Sequence, residues 1–317
     1  MPNDNGFVPR DVRTDVGTIA LAGLTATPKT LPAMLFYDDE GCRLFYEITK
    51  LPEYYLTRTE TALLRKIAPE IVPDGFSNAA LVEFGGSDET KARILLDQPG
   101  TPFTTYVSID VAEPALRAMQ ARLAETHPNL TVVPIAGDFM QPLVLPPLGA
   151  VRMGFFPGST IGNLDPVAAT AFLTSARLSL GSGSWFLLGA DLRKSPKLLL
   201  PAYNDAAGVT AAFNLNLLLR LNREAGATFD LQNFRHEAIW NDRESRIEMH
   251  LFATRDHTVV VGGRTIAFRE GESIHTENSY KHTPEALVAI AGNAGWETRK
   301  MWKDHAGLFG VILLGSG

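Results

Sequence analysis

Three short runs carry the residue types that grip a nucleoside. The run Val82-Glu83-Phe84-Gly85-Gly86-Ser87-Asp88 closes an apolar stretch with paired glycines. Glycines there let the backbone approach a ligand closely, and the helix expected next offers its N-terminal amides. Asp110 closes the following apolar stretch, where a carboxylate can accept hydrogen bonds from both hydroxyls of a ribose. Gly137-Asp138-Phe139 closes the third. It sets an acid suited to an exocyclic amine beside a ring suited to the face of a base. Singly, each run reads as a turn or a cap; in this order, after successive strands, they favour a nucleoside ligand. NAD would satisfy the first two. The absence of a spaced glycine triplet and the added Asp-Phe pair favour S-adenosylmethionine.

Further candidates follow along the chain. Phe155-Phe156-Pro157-Gly158-Ser159-Thr160-Ile161-Gly162-Asn163 lies just after a fourth strand, and the Asn163 amide offers both a donor and an acceptor. Leu51-Pro52-Glu53-Tyr54-Tyr55 interrupts two helices with adjacent phenols, read as loop tyrosines, one for ligand and one for packing. Tyr203 stands in a polar turn that runs to Gly208. In Thr276-Glu277-Asn278-Ser279 an extended backbone would put Glu277 and Ser279 on one face. A carboxylate and a hydroxyl together complement an imidazole; a helix cap is the competing reading of the same residues. The seven histidines show no metal-ligand spacing beyond His275-x-Glu277, so no metal is expected. Cys42 is the only cysteine, which excludes an internal disulfide, and it reads as a buried, inert thiol.

The elements that must position these residues alternate. Thr57-x-x-Glu60 has the form of a capping box ahead of a helix bearing Leu63, Leu64 and Ile67. Strands are predicted at Ala80–Phe84, Tyr106–Ile109, Thr131–Ile135, Val151–Phe156 and Ser184–Leu188. Helices are predicted around Lys91–Leu96, over Ala112–Glu125 and over Pro166–Leu180. Strands separated by helices imply right-handed crossovers and a doubly wound, mostly parallel sheet of Rossmann-like type, with ligands beyond the carboxyl ends of its strands. From about Ser195 the rhythm changes. A long helical stretch, Leu198–Leu221, precedes antiparallel strands within Ala238–Phe268 that include a Gly262-Gly263 turn. A helix at Thr283–Ala294 and a closing strand pair, Glu297–Trp302 and Leu308–Leu314, complete the sheet. The class is therefore α/β. The sheet domain spans 59–193 and 283–317. A smaller α+β substrate-recognition domain is formed by 1–58 and 194–282, and a cleft between the two is the expected substrate site.

Composition narrows the function classes. The 317 residues are 45% apolar and 20% charged with a net charge of −6, a globular and mildly acidic chain. No Lys/Arg block supplies the footprint of a nucleic-acid binder. The polar N-terminus shows no signal-peptide pattern, no apolar run is long enough to span a bilayer, and a cytoplasmic address is expected. The expected partner is a small molecule, with no nucleic acid and no membrane, and the chain is expected to act as a monomer.

Several long runs resemble one family: FYDDEGCRLFYEITKLPEYYLTRTE, VEFGGSDETK, SIDVAE, GDF, FFPGSTIGNLDP, YNDAAGVTAAFN, RIEMHLFA and HTENSYK. From about Pro32 to Leu314 the sequence is similar to the histidine-specific methyltransferases of ergothioneine biosynthesis, which convert histidine to its trimethylated betaine, hercynine. The resemblance implies S-adenosylmethionine contacts at Gly85, Lys91, Asp110, Asp138 and Phe139. It implies that Tyr54, Asn163 and Tyr203 hold the amino-acid end of the substrate, and that Tyr37, Glu277 and Ser279 surround the imidazole with Met249 lining that pocket. Tyr37 and Asn163 are the expected catalytic residues. Two departures stand out: Gly85-Gly86-Ser87-Asp88 replaces the commoner Gly-Ser-Gly-Thr, and Asn278 and Tyr280 flank Ser279 where smaller or apolar neighbours are usual. The alternatives are an N-methyltransferase for another aromatic amino acid or amine, and a catalytically silent protein that binds the cofactor or an amino acid.

Overall fold

The computed structural model describes residues 16–72, 75–86, 88–141, 143–149 and 151–317; the polar opening segment and Ser87 of the glycine run lie outside the described residues. In chain order the elements are α1 (Val16–Leu24), β1 (Lys29–Thr30), α2 (Asp39–Ile48), α3 (Tyr55–Ile71), β2 (Ala79–Phe84), α4 (Arg93–Leu96), β3 (Phe103–Asp110) and α5 (Glu113–Thr126). Then come β4 (Thr131–Ala136), β5 (Val151–Phe156), α6 (Pro166–Leu180), β6 (Trp185–Asp191), α7 (Pro196–Tyr203) and α8 (Val209–Glu224). The chain ends with β7 (Phe234–Asn241), β8 (Arg246–Ala253), β9 (His257–Val261), β10 (Arg264–Phe268), β11 (Ser273–Tyr280), α9 (Pro284–Asn293), β12 (Trp296–Lys303) and β13 (Phe309–Ser316). It divides into two compact units, one of 54–199, 241–247 and 278–317, the other of 1–53, 200–240 and 248–277.

The larger unit is built on a seven-stranded sheet in the order β12-β13-β6-β5-β2-β3-β4. Neighbouring strands from β6 through β4 are parallel, and β13 runs antiparallel to both β6 and β12. The last strand, β13, is thus inserted backwards between β12 and β6, and the closing strand pair completes the sheet as expected. The physical reason lies in the central strands, which are apolar on both faces. Leu81, Tyr106, Phe155, Leu187 and Val311 enter one core with Leu63, Leu64 and Ile67 of α3. Their successors Val82, Val107, Phe156, Leu188 and Ile312 enter the opposite core with Phe172 of α6 and Leu287 of α9. Strand order reverses at β2, whose carboxyl end is therefore the switch point of the sheet.

The smaller unit combines α1, α2 and α8 with most of a four-stranded sheet ordered β1-β11-β8-β7 and the β9–β10 hairpin. The hairpin turns at Gly262 and Gly263, whose φ angles of 54° and 78° suit glycine. Three readings need correction. The long helix over 198–221 is two helices, because the Asp205 side chain accepts the Val209 and Thr210 amides at 2.9 and 2.8 Å and so starts α8 afresh. Thr57-x-x-Glu60 is no capping box: α3 begins at Tyr55, so both residues lie inside the helix. Cys42 is exposed, since α2 buries the face of Gly41, Leu44 and Ile48.

Candidate functional site

At the switch point three strand ends are tied into one surface. The Gly85 and Gly86 amides both donate to the Ile109 carbonyl, at 2.8 and 3.2 Å, and the Gly137 amide donates to the Asp110 carbonyl at 3.0 Å. Gly85 has φ 80°, and a Cβ there would stand 3.4 Å from the Phe139 ring. Gly86 has no room for one, with Ser108 Oγ at 2.6 Å and Glu83 Cγ at 2.9 Å from the position. Asp110 is half-buried, one carboxylate oxygen taking the Ala112 amide at 2.8 Å, and burial raises its pKa above the usual carboxylate value. Asp138 is held the same way by the Met140 amide at 2.8 Å, and Phe139 packs edge-on against Phe156 and Phe172. The structure thus brings Gly85, Asp110, Asp138 and Phe139 together. A hydrogen-bonding carboxylate, a second acid and an aromatic face around an open glycine fit an adenosyl group.

Behind this surface sits Glu83, fully enclosed, whose carboxyl burial pushes up to about 8 while Tyr106 donates to it at 2.5 Å. It supports the glycine run from beneath, beside the Ser108 hydroxyl that donates to the Gly86 carbonyl. Lys91 lies close by and is ion-paired at 2.5 Å with Glu60, which is 1% exposed. Glu60 also accepts the Gly158 amide on both oxygens, at 2.8 and 2.9 Å. A single carboxylate on α3 therefore fixes both the lysine and the start of the loop after β5. Glu60 occupies the apolar stripe of its helix, with Leu56, Leu63, Leu64 and Ile67. A charge on such a stripe is the signal that could have marked it.

The loop after β5 is shaped by Gly158 at φ 83° and Ser159 at φ 59°, and it closes in a 3-10 turn ending at Asn163, which is half-buried. The run from Leu51 does separate α2 from α3, as expected, but Tyr54, just before α3, and Tyr55, its first residue, are each only 7% exposed rather than on an exposed loop. The Tyr55 hydroxyl donates to Asp191 at 2.7 Å, and the Tyr54 carbonyl accepts from Arg58 at 3.1 Å. Ser279 is buried and lies in β11, an extended strand rather than a helix cap.

In the smaller unit Tyr37 is 39% exposed and meets Phe45 and Phe213 edge-on at 6.2 Å each. The next residue, Asp38, caps α2 through the Gly41 amide and is anchored by Asn216 and Arg223. Tyr203 is buried at the end of α7, and the His236 Nε2–H donates to its carbonyl at 2.9 Å. With Asn214 donating to Nδ1 and burial holding its pKa down, His236 is a neutral imidazole. Met249 is on the buried side of β8 between Ile247 and Leu251, while Glu277 is half-buried in β11, its carbonyl accepting from His275. Glu248, His250 and His275 hold potential ligand atoms within 4.8 Å of one another. The two imidazoles are stacked 4.6 Å apart at 18°, so their lone pairs run side by side rather than converging as metal ligands do.

Comparison with known proteins gives the same direction. The model of a family described as histidine-specific, S-adenosylmethionine-dependent methyltransferase matches residues 16–316. A histidine N-alpha-methyltransferase of Mycolicibacterium smegmatis is 42% identical over 96% of this chain and 93% of its own length. Its namesake from Mycobacterium tuberculosis is 40% identical over 94% and 96%. Among solved structures, an S-adenosylmethionine-dependent methyltransferase from Clostridium acetobutylicum superposes with a TM-score of 0.50 at 10% identity, covering 87% of this chain and 99% of that one, a likeness of fold. No helix among the described residues is long and apolar enough to cross a membrane.

Proposed function

The chain belongs to the S-adenosylmethionine-dependent, histidine-specific methyltransferase family, and on that premise we propose that it methylates the α-amino group of histidine three times, giving hercynine. The observation that carries this reading is the half-buried Asp110 carboxylate, joined through the strand ends to Gly85 and to the Asp138-Phe139 pair. That donor and acceptor set suits an adenosyl cofactor. When bound, S-adenosylmethionine supplies an electrophilic methyl on a sulfonium. The residues of this chain have the rest to do. Asp110 accepts from the ribose hydroxyls, Asp138 takes the exocyclic amine, Phe139 covers a face of the adenine, and Gly85 and Lys91 address the amino-acid tail.

Tyr54, Asn163 and Tyr203 are assigned to the carboxylate and amine of the substrate, and Tyr37, Glu277, Ser279 and Met249 to its side chain. The amine must be neutral to attack, and a free α-amino group is largely protonated at neutral pH, with a reference value near ~8. Asn163 orients it through its amide oxygen, and Tyr37 offers a phenol; its proton leaves to water. As methyls accumulate a fixed positive charge forms. Aromatic faces such as Tyr37, Phe45, Tyr54 and Tyr203 stabilise such a charge by about 0.5–2 kcal/mol each, which suits repeated transfer. The substrate is free histidine, with no nucleic acid or membrane involved, and the enzyme acts as a cytoplasmic monomer. The test is product mass from a panel of amino acids incubated with cofactor. Histidine should gain three methyls and outrun tryptophan and tyrosine. A single methyl on histidine, or a faster reaction with another amino acid, would reject the proposal.

A further inference from the structure

Asp191 ends β6 and is entirely enclosed, with 0% exposure. Its carboxylate accepts Tyr55 Oη at 2.7 Å and Lys281 Nζ at 3.0 Å on one oxygen, and Lys194 Nζ at 2.6 Å on the other. Lys194 also donates to the Tyr55 hydroxyl at 2.8 Å. The Asp191 amide donates to Ser159 Oγ at 2.9 Å, and the Ser159 carbonyl accepts the Gly162 amide at 2.8 Å, one residue before Asn163. The Lys281 side chain is as enclosed as Asp191, and its ammonium donates to Ser279 Oγ at 2.9 Å.

One residue thus touches three separate stretches of chain, all within the larger unit: its carboxylate reaches those bearing Tyr54 and Ser279, and its backbone amide reaches that bearing Asn163. Each stretch holds a residue assigned to the amino-acid substrate of the proposed reaction, and the role of the acid rests on that reading. We propose that Asp191 and Lys281 are positioning residues for the amino-acid site, Asp191 anchoring the ammonium and Lys281 fixing the Ser279 hydroxyl that meets the substrate side chain.

Stability is a poor reason for such a group. Burying a lysine and an aspartate forfeits their hydration, and apolar residues of equal volume often do as well. What an ammonium adds is direction. It can only donate, so Ser279 Oγ must accept from it, which pins the oxygen and turns the hydroxyl hydrogen away from the ammonium. Lys194, lowered to about 8 by burial against the attraction of Asp191, is the second cation on the same acid. Asp191 keeps a partner when Lys281 is replaced.

A double-substitution cycle tests the coupling, with Lys281→Met and Ser279→Ala alone and together. Lys281→Met should raise the histidine KM about tenfold, leave kcat within threefold, and leave calorimetric affinity for S-adenosylhomocysteine within twofold. In the Ser279→Ala background it should add nothing further to KM. Equal effects of Lys281→Met in both backgrounds, or a parallel fall in nucleoside affinity, would overturn the proposal. If the methionine variant does not fold, Lys281→Gln, which keeps an N–H donor, is put through the same cycle. A KM rise of about threefold that vanishes with Ser279→Ala supports the coupling, and an undiminished rise refutes it. Wild-type turnover on histidine separates the two failures. Without it the parent reading falls; with it, and with additive effects, only the role of Lys281 falls.

Discussion

The acids at the ends of β3 and β4 and the acids on α3 and β6 differ in what satisfies them. Asp110 and Asp138 are half-buried, and each takes a hydrogen bond of 2.8 Å from the backbone amide two positions on. Glu60 and Asp191 are 1% and 0% exposed, and each is met by a cation and further donors from distant parts of the chain. The first pair retains capacity for a ligand or water, since an ionised carboxylate accepts up to about four hydrogen bonds. The second pair spends that capacity on the protein itself. Side chains of the same chemistry thus keep open acceptor positions at the ends of β3 and β4 and are saturated by the protein on α3 and at the end of β6.

Exchanging the acids should break this contrast most sharply at Asp110. Asp110→Ala removes charged hydrogen bonds to both ribose hydroxyls, each worth about 1.5–3 kcal/mol. Calorimetric affinity for S-adenosylhomocysteine should fall by about 100-fold or more. On the protein side only local amides, those of Val111 and Ala112, lose a partner, so the melting temperature should barely move. A variant that binds normally would show that the carboxylate does not face the ribose. Glu60→Ala should show its largest effect in stability instead. It strands the Gly158 amide and an ammonium that is 20% exposed, and breaking such a pair costs about 3 kcal/mol. Chemical denaturation should report that loss. Unchanged stability would place Glu60 with the ligand groups instead.

The same contrast explains what the sequence made legible. Gly85, Asp110 and the Asp138-Phe139 pair follow apolar strands directly, so local order places them at one edge of the sheet. The late strand pair and the Gly262-Gly263 turn are readable for the same reason. Asp191 is also a strand-end acid, but its partners Tyr55 and Lys281 lie far from it in sequence, and nothing local distinguishes Lys281. Glu60 was hidden by a plausible capping pattern, although its place among Leu56, Leu63 and Ile67 contradicts a cap. The exposure of Cys42 depended on which face α2 buries, and its apolar positions are too few to decide that alone. The return of 241–247 to the larger unit is a matter of chain path, which periodicity does not record.

Glu83 refines the comparison, because it is enclosed like Glu60 yet has no cation in contact. Burial is the dominant influence on it and raises its carboxyl from 4.5 to about 8, outweighing the Tyr106 hydrogen bond and the attraction of Lys91. Folding therefore captures a proton that the unfolded chain releases near 4.5. The contribution of this group to stability is fully present below that value and is lost as pH rises towards 8. Between the two values the slope approaches ~1.4 kcal/mol per pH unit, so this group alone should cost about 2 kcal/mol from pH 5.5 to 7. Glu83→Gln keeps the shape and can still accept from Tyr106, but it carries no proton to lose. Denaturant titrations of the two proteins over that range should show the wild type losing stability relative to the variant as pH rises. Parallel curves would mean that Glu83 is ionised in the folded state although no cation touches it.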